Sequence, residues 1–296
     1  MNYCPNCGTQ RIESAAYCHR CGRALSNPVS QPSQENQGMP VTAEMPATPD
    51  MPATPDVIWG AEEAPSTAAG QVPWRGGQVV LGIILVLVSL IPVTGIAFAV
   101  GALAGRYDDA TIVWVSVHLM AISIAMVVWR LGVHKRPAPW RLLGLNPMRY
   151  PLAKSVLLAL GALGGSLLLT VIYSAVVNLF NLDTFSPPDI GGEIAFPGAA
   201  AFFTFQAVAL VTPITEEVFF RGFVFSGLIP RFGVAKAMVF SALVFSAFHL
   251  SLGVLVPVFL TGLLLALLYR KTGSIWPCVL AHAGQNALAV ALEIYT

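Results

Sequence analysis

The chain has 296 residues, of which 55% are hydrophobic and only 10% are charged. Soluble domains carry about 25% charged residues, so this composition excludes a soluble globular protein and indicates an integral membrane protein. The formal net charge of +1 points to no class of partner, and we expect no nucleic-acid partner.

Residues 1–25 carry two Cys-x-x-Cys pairs, each followed by glycine: Cys4, Cys7, Cys18 and Cys21. Two such knuckles complete a tetrahedral site of four thiolates, which predicts a zinc ribbon with a structural Zn²⁺. Two disulfides are the alternative, and the cytoplasmic N-terminus predicted below disfavours them. We expect this domain to be unfolded without metal. A cytoplasmic protein partner for it is left open.

Residues 26–74 are rich in Pro, Ser, Gln, Ala and Thr, and they include a tandem repeat at 45–50 and 51–56. Such a segment buries too little apolar area to fold, and its prolines keep it partly extended. The composition predicts a disordered linker.

Residues 75–296 form the predicted membrane domain. Because a membrane-spanning helix needs about 20 apolar residues, the apolar segments predict an all-α polytopic fold with about seven transmembrane helices. The predicted spans are 79–103, 111–131, 153–180, 201–222, 235–252, 254–270 and 275–293.

Basic residues occur in every second connection between these spans, with the exception of Arg106, which Asp108 and Asp109 offset. They are Lys135, Arg136, Arg141, Arg149 and Lys154, then Arg231 and Lys236, then Arg270 and Lys271. Cytoplasmic connections carry an excess of Lys and Arg, so the pattern predicts a multi-pass protein of the cell inner (cytoplasmic) membrane with a cytoplasmic N-terminus. The predicted surroundings are therefore the lipid bilayer.

Six polar side chains interrupt three of the apolar segments: Glu216, Glu217, Arg221, His249, His282 and Asn286. An ionisable group in the hydrocarbon core costs at least about 2.5 kcal/mol, so each needs a compensating interaction or a function. Together they are typical of catalytic machinery. A lone membrane histidine such as His118 is more typical of a packed residue that donates to a backbone carbonyl.

Helical spacing distinguishes the two carboxylates. Glu217 and Arg221 are four residues apart, share a helix face and are predicted to form an ion pair. Glu216 is rotated by about 100° from that face, which leaves it as the freer carboxylate and the better candidate for a general base. Phe245 and His249, and His282 and Asn286, are also four residues apart.

The three segments Glu216-Glu217-Val-Phe-Phe-Arg221, Phe245-Ser-Ala-Phe-His249 and His282-Ala-Gly-Gln-Asn286 resemble the EExxxR, FxxxH and HxxxN motifs of the CPBP family. This family contains the type II CAAX prenyl endopeptidases and bacterial bacteriocin-processing or immunity proteins. The resemblance covers residues 150–293 and leaves out the ribbon and linker.

The resemblance implies an intramembrane endopeptidase that acts on a membrane-associated protein or peptide. It implies that Glu216 and His249 activate water, that His282 and Asn286 stabilise the oxyanion, and that Glu217 and Arg221 support the site. A catalytic metal held by Glu216, His249 and His282 is the alternative, and we favour the metal-independent glutamate mechanism. We expect a site at intermediate depth that is reached from the cytoplasmic side.

Two other functions compete with a protease. Intramembrane carboxylates also serve proton-coupled transporters, although no inverted repeat is evident here. The second alternative is a non-catalytic function. The protein would then be a membrane tether or a bacteriocin-immunity protein that binds a partner through the core or the ribbon. The sequence does not identify a substrate.

Overall fold

The computed structural model describes residues 72–136, 138–188 and 194–295. The predicted ribbon with its four cysteines, and residues 26–71 of the predicted linker, lie outside the described residues. Within the described ranges the chain is helical, with no strand, which confirms the all-α polytopic class. The helices are α1 (Gly76–Leu103), α2 (Asp109–Val133), α3 (Pro139–Leu142), α4 (Leu152–Leu179), α5 (Gly198–Ala247), α6 (Leu252–Thr272) and α7 (Trp276–Tyr295).

Five of the described helices, α1, α2, α4, α5 and α6, are long and apolar enough to cross a membrane. Helix α5 is kinked at Gly233 (φ 72°, ψ 171°), so its two arms, 198–232 and 234–247, account for the fourth and fifth predicted spans. The first arm continues beyond residue 222, where the fourth predicted span ends. Helix α7, at the seventh predicted span, is less apolar because it carries the polar residues of the HxxxN motif.

Large apolar side chains cover the outside of the bundle. Ile91 and Leu103 of α1 are 78% and 90% exposed, and Leu157 of α4 is 68% exposed. In water such surfaces would promote association, whereas lipid chains solvate them without cost. The exposed apolar surface therefore agrees with a bundle that lies in a bilayer.

The helix connections fall at two ends of the bundle. At one end, Arg149 N–H donates to the Thr272 carbonyl at 2.9 Å, and Ile275 N–H donates to the Gly144 carbonyl at 2.9 Å. The residues that precede α4 therefore pack against the α6–α7 turn. We call this the basic end; it comprises residues 134–151, the kink at Gly233 and residues 273–275.

The other end, which we call the opposite end, comprises residues 104–108, 180–188 and 248–251. Here Asp108 caps α2 by accepting the Thr111 N–H at 2.8 Å. The hydrogen bonds with Thr111 hold the pKa of Asp108 below its usual value. Tyr173 Oη donates to the Phe185 carbonyl at 2.8 Å, which ties the end of α4 to the connection that follows it.

Two π-helical segments, Gln206–Val211 and Val218–Phe225, widen the first arm of α5. Wider turns leave backbone carbonyls without their usual partners, and side chains from elsewhere donate to them. Ser226 Oγ donates to the Arg221 carbonyl at 3.0 Å, and Ser241 Oγ donates to the Phe220 carbonyl at 3.1 Å. These bonds fix the irregular segment that follows the glutamate pair.

Trp74, the last residue of the predicted linker, is buried at 2% exposure. Its indole Nε1–H donates to the Phe223 carbonyl at 2.9 Å, and its ring stacks on the Phe223 ring at 5.4 Å between centroids. Composition alone assigns this residue to the linker. The structure packs it into the membrane domain, because it fills the groove beside the second π-helical segment.

Gly253 provides a test of the packing at the opposite end. A Cβ atom at this position would lie 2.0 Å from the Ser186 carbonyl oxygen, a backbone atom that cannot rotate away. We expect Gly253→Ala to lower the melting temperature in detergent, because overpacking typically costs about 1–3 kcal/mol. Gly161→Ala in α4 is the matched control, since no heavy atom lies within 4 Å of its Cβ position. Equal melting of Gly253→Ala and wild type would contradict this packing.

Candidate active site

The glutamate pair lies midway along the first arm of α5. Glu216 and Glu217 end a short α-helical stretch, Thr212–Glu217, between the two π-helical segments. The predicted fourth span, 201–222, puts the two glutamates near its end. Because the helix continues to Gly233, the pair instead lies well inside the bundle, at the depth of His282 in α7.

Glu217 and Arg221 form the ion pair that their spacing predicts. Arg221 Nη1 donates to Glu217 Oε1 at 2.8 Å, and the two side chains are 1% and 0% exposed. Arg221 Nη2 also donates to the Gly262 carbonyl of α6 at 3.3 Å. Burial without a partner would be very unfavourable for either charge, so the pair stabilises both.

His282 contacts both glutamates. Its Nδ1 lies 2.9 Å from Glu217 Oε1, and its Nε2 lies 3.8 Å from Glu216 Oε2. A carboxylate that pairs with Arg221 is an acceptor, so Nδ1 of His282 carries the hydrogen. Glu217 thus sets the tautomer and the orientation of this imidazole, and directs Nε2 toward Glu216.

Glu216 is the less constrained carboxylate of the pair. Its side chain is 24% exposed, whereas that of Glu217 is fully buried. Glu216 Oε2 has no hydrogen-bond partner among the described residues, and the same is true of Glu217 Oε2 and Arg221 Nε. Buried polar atoms without partners are rare and often mark sites of chemistry.

Phe245 brings the three motifs together. Its ring centroid lies 5.7 Å from that of His282 and 5.2 Å from that of His249, both edge-to-face. The Arg221 guanidinium carbon lies 4.5 Å from the same ring, within the range of a cation–π interaction. The first residue of the FxxxH motif is therefore the packing centre of the site.

His249 lies just beyond the end of α5, at the opposite end, and its side chain is exposed. Its Nδ1 lies 3.0 Å from the Phe245 carbonyl, so Nδ1–H donates there and Nε2 is left as an acceptor. Among the described residues no hydrogen bond or ion pair joins His249 to Glu216. His282 occupies the position next to Glu216 that the family resemblance assigns to His249.

Asn286 faces the first π-helical segment. Its Nδ2 donates to the Val208 carbonyl at 2.9 Å, which leaves the second hydrogen of the amide nitrogen available. Beside it lies a cavity of about 180 Å³, lined by Ile194, Ala195, Thr204, Val208, Asn286, Ala289, Val290 and Glu293. The HxxxN motif predicts Asn286 as a site residue. It does not predict this cavity, because the walls of the cavity come from three separate segments of the chain.

A second cluster of polar side chains joins α2 to the first arm of α5, and the spacing of polar residues in the sequence does not predict it. Trp114 Nε1–H donates to Gln206 Oε1 at 3.0 Å, and Gln206 Nε2 lies 3.0 Å from His118 Nε2. His118 Nδ1 lies 2.7 Å from the Trp114 carbonyl, as expected for a packed membrane histidine. The signal available in the sequence was Gln206, a lone amide in an apolar segment.

Metal ligation requires several His, Cys, Asp or Glu side chains that converge on one point. No group of three or more His, Cys, Asp or Glu side chains in the described ranges is placed to hold a metal ion. The predicted zinc ligands Cys4, Cys7, Cys18 and Cys21 lie outside those ranges. The lone Cys278 is buried in α7, with its thiol 3.3 Å from the Leu265 carbonyl.

Comparison with known proteins agrees with these motifs. Residues 198–288 match the family model described as "Type II CAAX prenyl endopeptidase Rce1-like". A protein of Bacillus subtilis (strain 168) named "Putative membrane peptidase YdiL" is 30% identical over 86 residues, which cover 29% of this chain and 35% of that relative. No solved structure matches.

The matched residues contain the three motifs, together with α6 and most of α7. Both matches support a membrane protease at the level of the family. The family recognised from the EExxxR, FxxxH and HxxxN motifs is thereby confirmed. This chain is a multi-pass membrane protein whose residues 198–288 are similar to the type II CAAX prenyl endopeptidase Rce1-like family.

Proposed function

We propose that this protein is an intramembrane endopeptidase that hydrolyses a peptide bond of a membrane-associated protein or peptide. The observation that carries the proposal is the contact of His282 with both glutamates, one paired with Arg221 and the other free. A structural ion pair explains Glu217 and Arg221. It does not explain a second carboxylate directed at the same imidazole, with a buried oxygen that has no partner.

In the proposed reaction Glu216 acts as the general base. Its free Oε2 accepts a proton from water while the water oxygen attacks the scissile carbonyl carbon. The carbonyl becomes a tetrahedral oxyanion. When the C–N bond breaks, the protonated Glu216 returns the proton to the leaving nitrogen, so the carboxylate is restored at the end of each turnover.

His282 and Asn286 stabilise the oxyanion in this proposal. Asn286 donates the amide hydrogen that Val208 does not use. To donate as well, His282 must carry a hydrogen on Nε2 in addition to the one on Nδ1. Donors already held in place stabilise developing charge without reorganisation, and removing one typically costs about 10²–10³ in rate.

His249 supplies a second imidazole at the outer edge of the site. With Nδ1 bonded to the Phe245 carbonyl, its Nε2 points away as an acceptor. We assign it the positioning of water or of the substrate backbone beside Glu216. Phe245, between the two imidazole rings, keeps their spacing.

Peptide cleavage by the purified full chain in liposomes tests this function. A library of membrane-anchored peptides is incubated with wild type, Glu216→Ala and Asp183→Ala, and the products are read by mass spectrometry. Asp183 is an exposed carboxylate outside the site and serves as the matched control. We expect cleavage by wild type and Asp183→Ala and none by Glu216→Ala. A wild type that is folded yet cleaves no peptide would favour the tether or immunity function.

A strong chelator separates the glutamate mechanism from a metal mechanism. We expect activity to persist in the chelator. Because a chelator also strips the predicted ribbon, the assay is repeated on a chain with Cys4 and Cys7 replaced by serine. Chelator-sensitive cleavage in both chains would assign a catalytic metal to the membrane site, and sensitivity in the wild type alone would assign the effect to the ribbon.

A further inference from the structure

The cavity beside Asn286 and the basic residues lie toward different ends of the bundle. Apart from Arg106 and Arg221, every Lys and Arg of the described residues lies at or near the basic end. These are Arg75, Arg130, Lys135, Arg136, Arg141, Arg149, Lys154, Arg231, Lys236, Arg270 and Lys271. The described acidic residues outside the glutamate pair, Asp108, Asp109, Asp183 and Glu293, lie at or near the opposite end.

From the glutamate pair toward the basic end the interior is filled. Phe219, Phe220 and Phe223 are at most 2% exposed, and Trp74 covers the last of them. A Cβ on Gly222 would lie 2.6 Å from the Leu143 carbonyl oxygen, which shows that the connection before α4 packs directly on α5. In the described residues, buried aromatic side chains and closely packed backbone therefore occupy the interior in this direction.

Toward the opposite end, a cavity in the described residues adjoins Asn286 of the candidate site. The cavity begins at Asn286 and Val208 and extends to Ile194 and Ala195, which precede α5, and to Glu293, near the end of α7. His249 is exposed at this same end, and the neighbouring Leu250 is 76% exposed. Asn286 and His249 are therefore approached from the opposite end.

We infer that the substrate enters through the cavity beside Asn286 from the non-cytoplasmic face of the membrane. Lys and Arg concentrate in cytoplasmic connections, so the charge distribution places the basic end in the cytoplasm. The cavity, mostly apolar, then receives an apolar residue of a polypeptide segment at the outer face. This inference rests on the proposed function, and it reverses the expectation of entry from the cytoplasmic side.

Cysteine labelling in intact cells tests the inference without requiring activity. The probe is a membrane-impermeant maleimide, applied to the full chain before and after permeabilisation. Ala289→Cys reports on the cavity, Leu250→Cys on the opposite end, and Lys236→Cys on the basic end; all three positions are exposed. Wild type, which carries the buried Cys278 and the four cysteines of the predicted ribbon, provides the background that is subtracted in each condition.

We expect Ala289→Cys and Leu250→Cys to label fully before permeabilisation and Lys236→Cys only after it. Labelling of Lys236→Cys alone in intact cells would show an inverted bundle and overturn the inference. If Leu250→Cys is labelled in intact cells and Ala289→Cys is not, the cavity is closed to the non-cytoplasmic face. That result would also overturn the inference.

The outcome is separable from that of the proposed function. Peptide cleavage in detergent, where both ends are accessible, depends on the chemistry of the site and not on the membrane face from which substrate enters. Cleavage in detergent together with an inverted labelling pattern would overturn the entry route and leave the protease intact. The expected labelling with no cleavage in detergent would support the route into the cavity while contradicting the protease.

Discussion

Glu217→Gln is expected to cause the largest loss of stability of any single substitution in the site. It leaves the Arg221 guanidinium, 1% exposed, without a counter-charge in an apolar interior. Breaking one partner of a buried ion pair costs about 3–5 kcal/mol. It also removes the charged acceptor of His282 Nδ1. We therefore expect a strongly lowered melting temperature in detergent.

The matched control is the same substitution one residue earlier. Glu216→Gln removes a carboxylate that makes no ion pair with Arg221, so its melting temperature should stay close to that of wild type. Removing both charges in Glu217→Gln/Arg221→Met should recover part of the lost stability, because no buried charge is then left unpaired. Unchanged melting of Glu217→Gln would refute the structural role of the pair.

Glu216→Gln is expected to cause the largest loss of activity. A positioned general base contributes about 10²–10⁴ in rate, and glutamine preserves the shape of the side chain while removing its basicity. Glu216→Asp, which keeps the carboxylate but shortens the side chain by one methylene group, should retain part of the activity. The measurement is the initial rate of peptide cleavage by each purified variant at equal concentration of folded protein.

Comparing the two glutamates decides their roles. Under the proposal, Glu216→Gln is inactive and stable, whereas Glu217→Gln is unstable and loses activity through the displacement of His282. An active Glu216→Gln beside an inactive, stable Glu217→Gln would reverse the assignment. Equal loss of activity with unchanged melting for both would show that the two carboxylates act as one unit.

The sequence by itself determined the fold class of the protein and predicted the residues of its candidate site. Apolar segments of about 20 residues require helices, because a bilayer offers no partner for free backbone groups. Because burying a charge in a bilayer is unfavourable, the apolar segments themselves point to five candidate site residues: Glu216, Glu217, Arg221, His249 and His282. The four-residue spacing of Glu217 and Arg221 predicted their ion pair, because local helix geometry alone brings such residues together.

Only the tertiary structure decided how the three motifs meet. The contact of His282 with both glutamates, and the position of Phe245 between the two imidazole rings, join helices that are distant in sequence. Spacing within one helix carries no information on such contacts. For the same reason the family pattern alone did not reveal that His282, and not His249, makes the contact with Glu216.

Tertiary packing also decided the direction in which the site opens. The kink at Gly233 and the π-helical segments set the depth of the glutamate pair, and neither follows from a count of apolar residues. The aromatic side chains that fill the interior toward the basic end look like any other apolar residues in the sequence. Whether apolar residues plug a path or line it depends on which helices pack around them, and that is a property of the folded bundle alone.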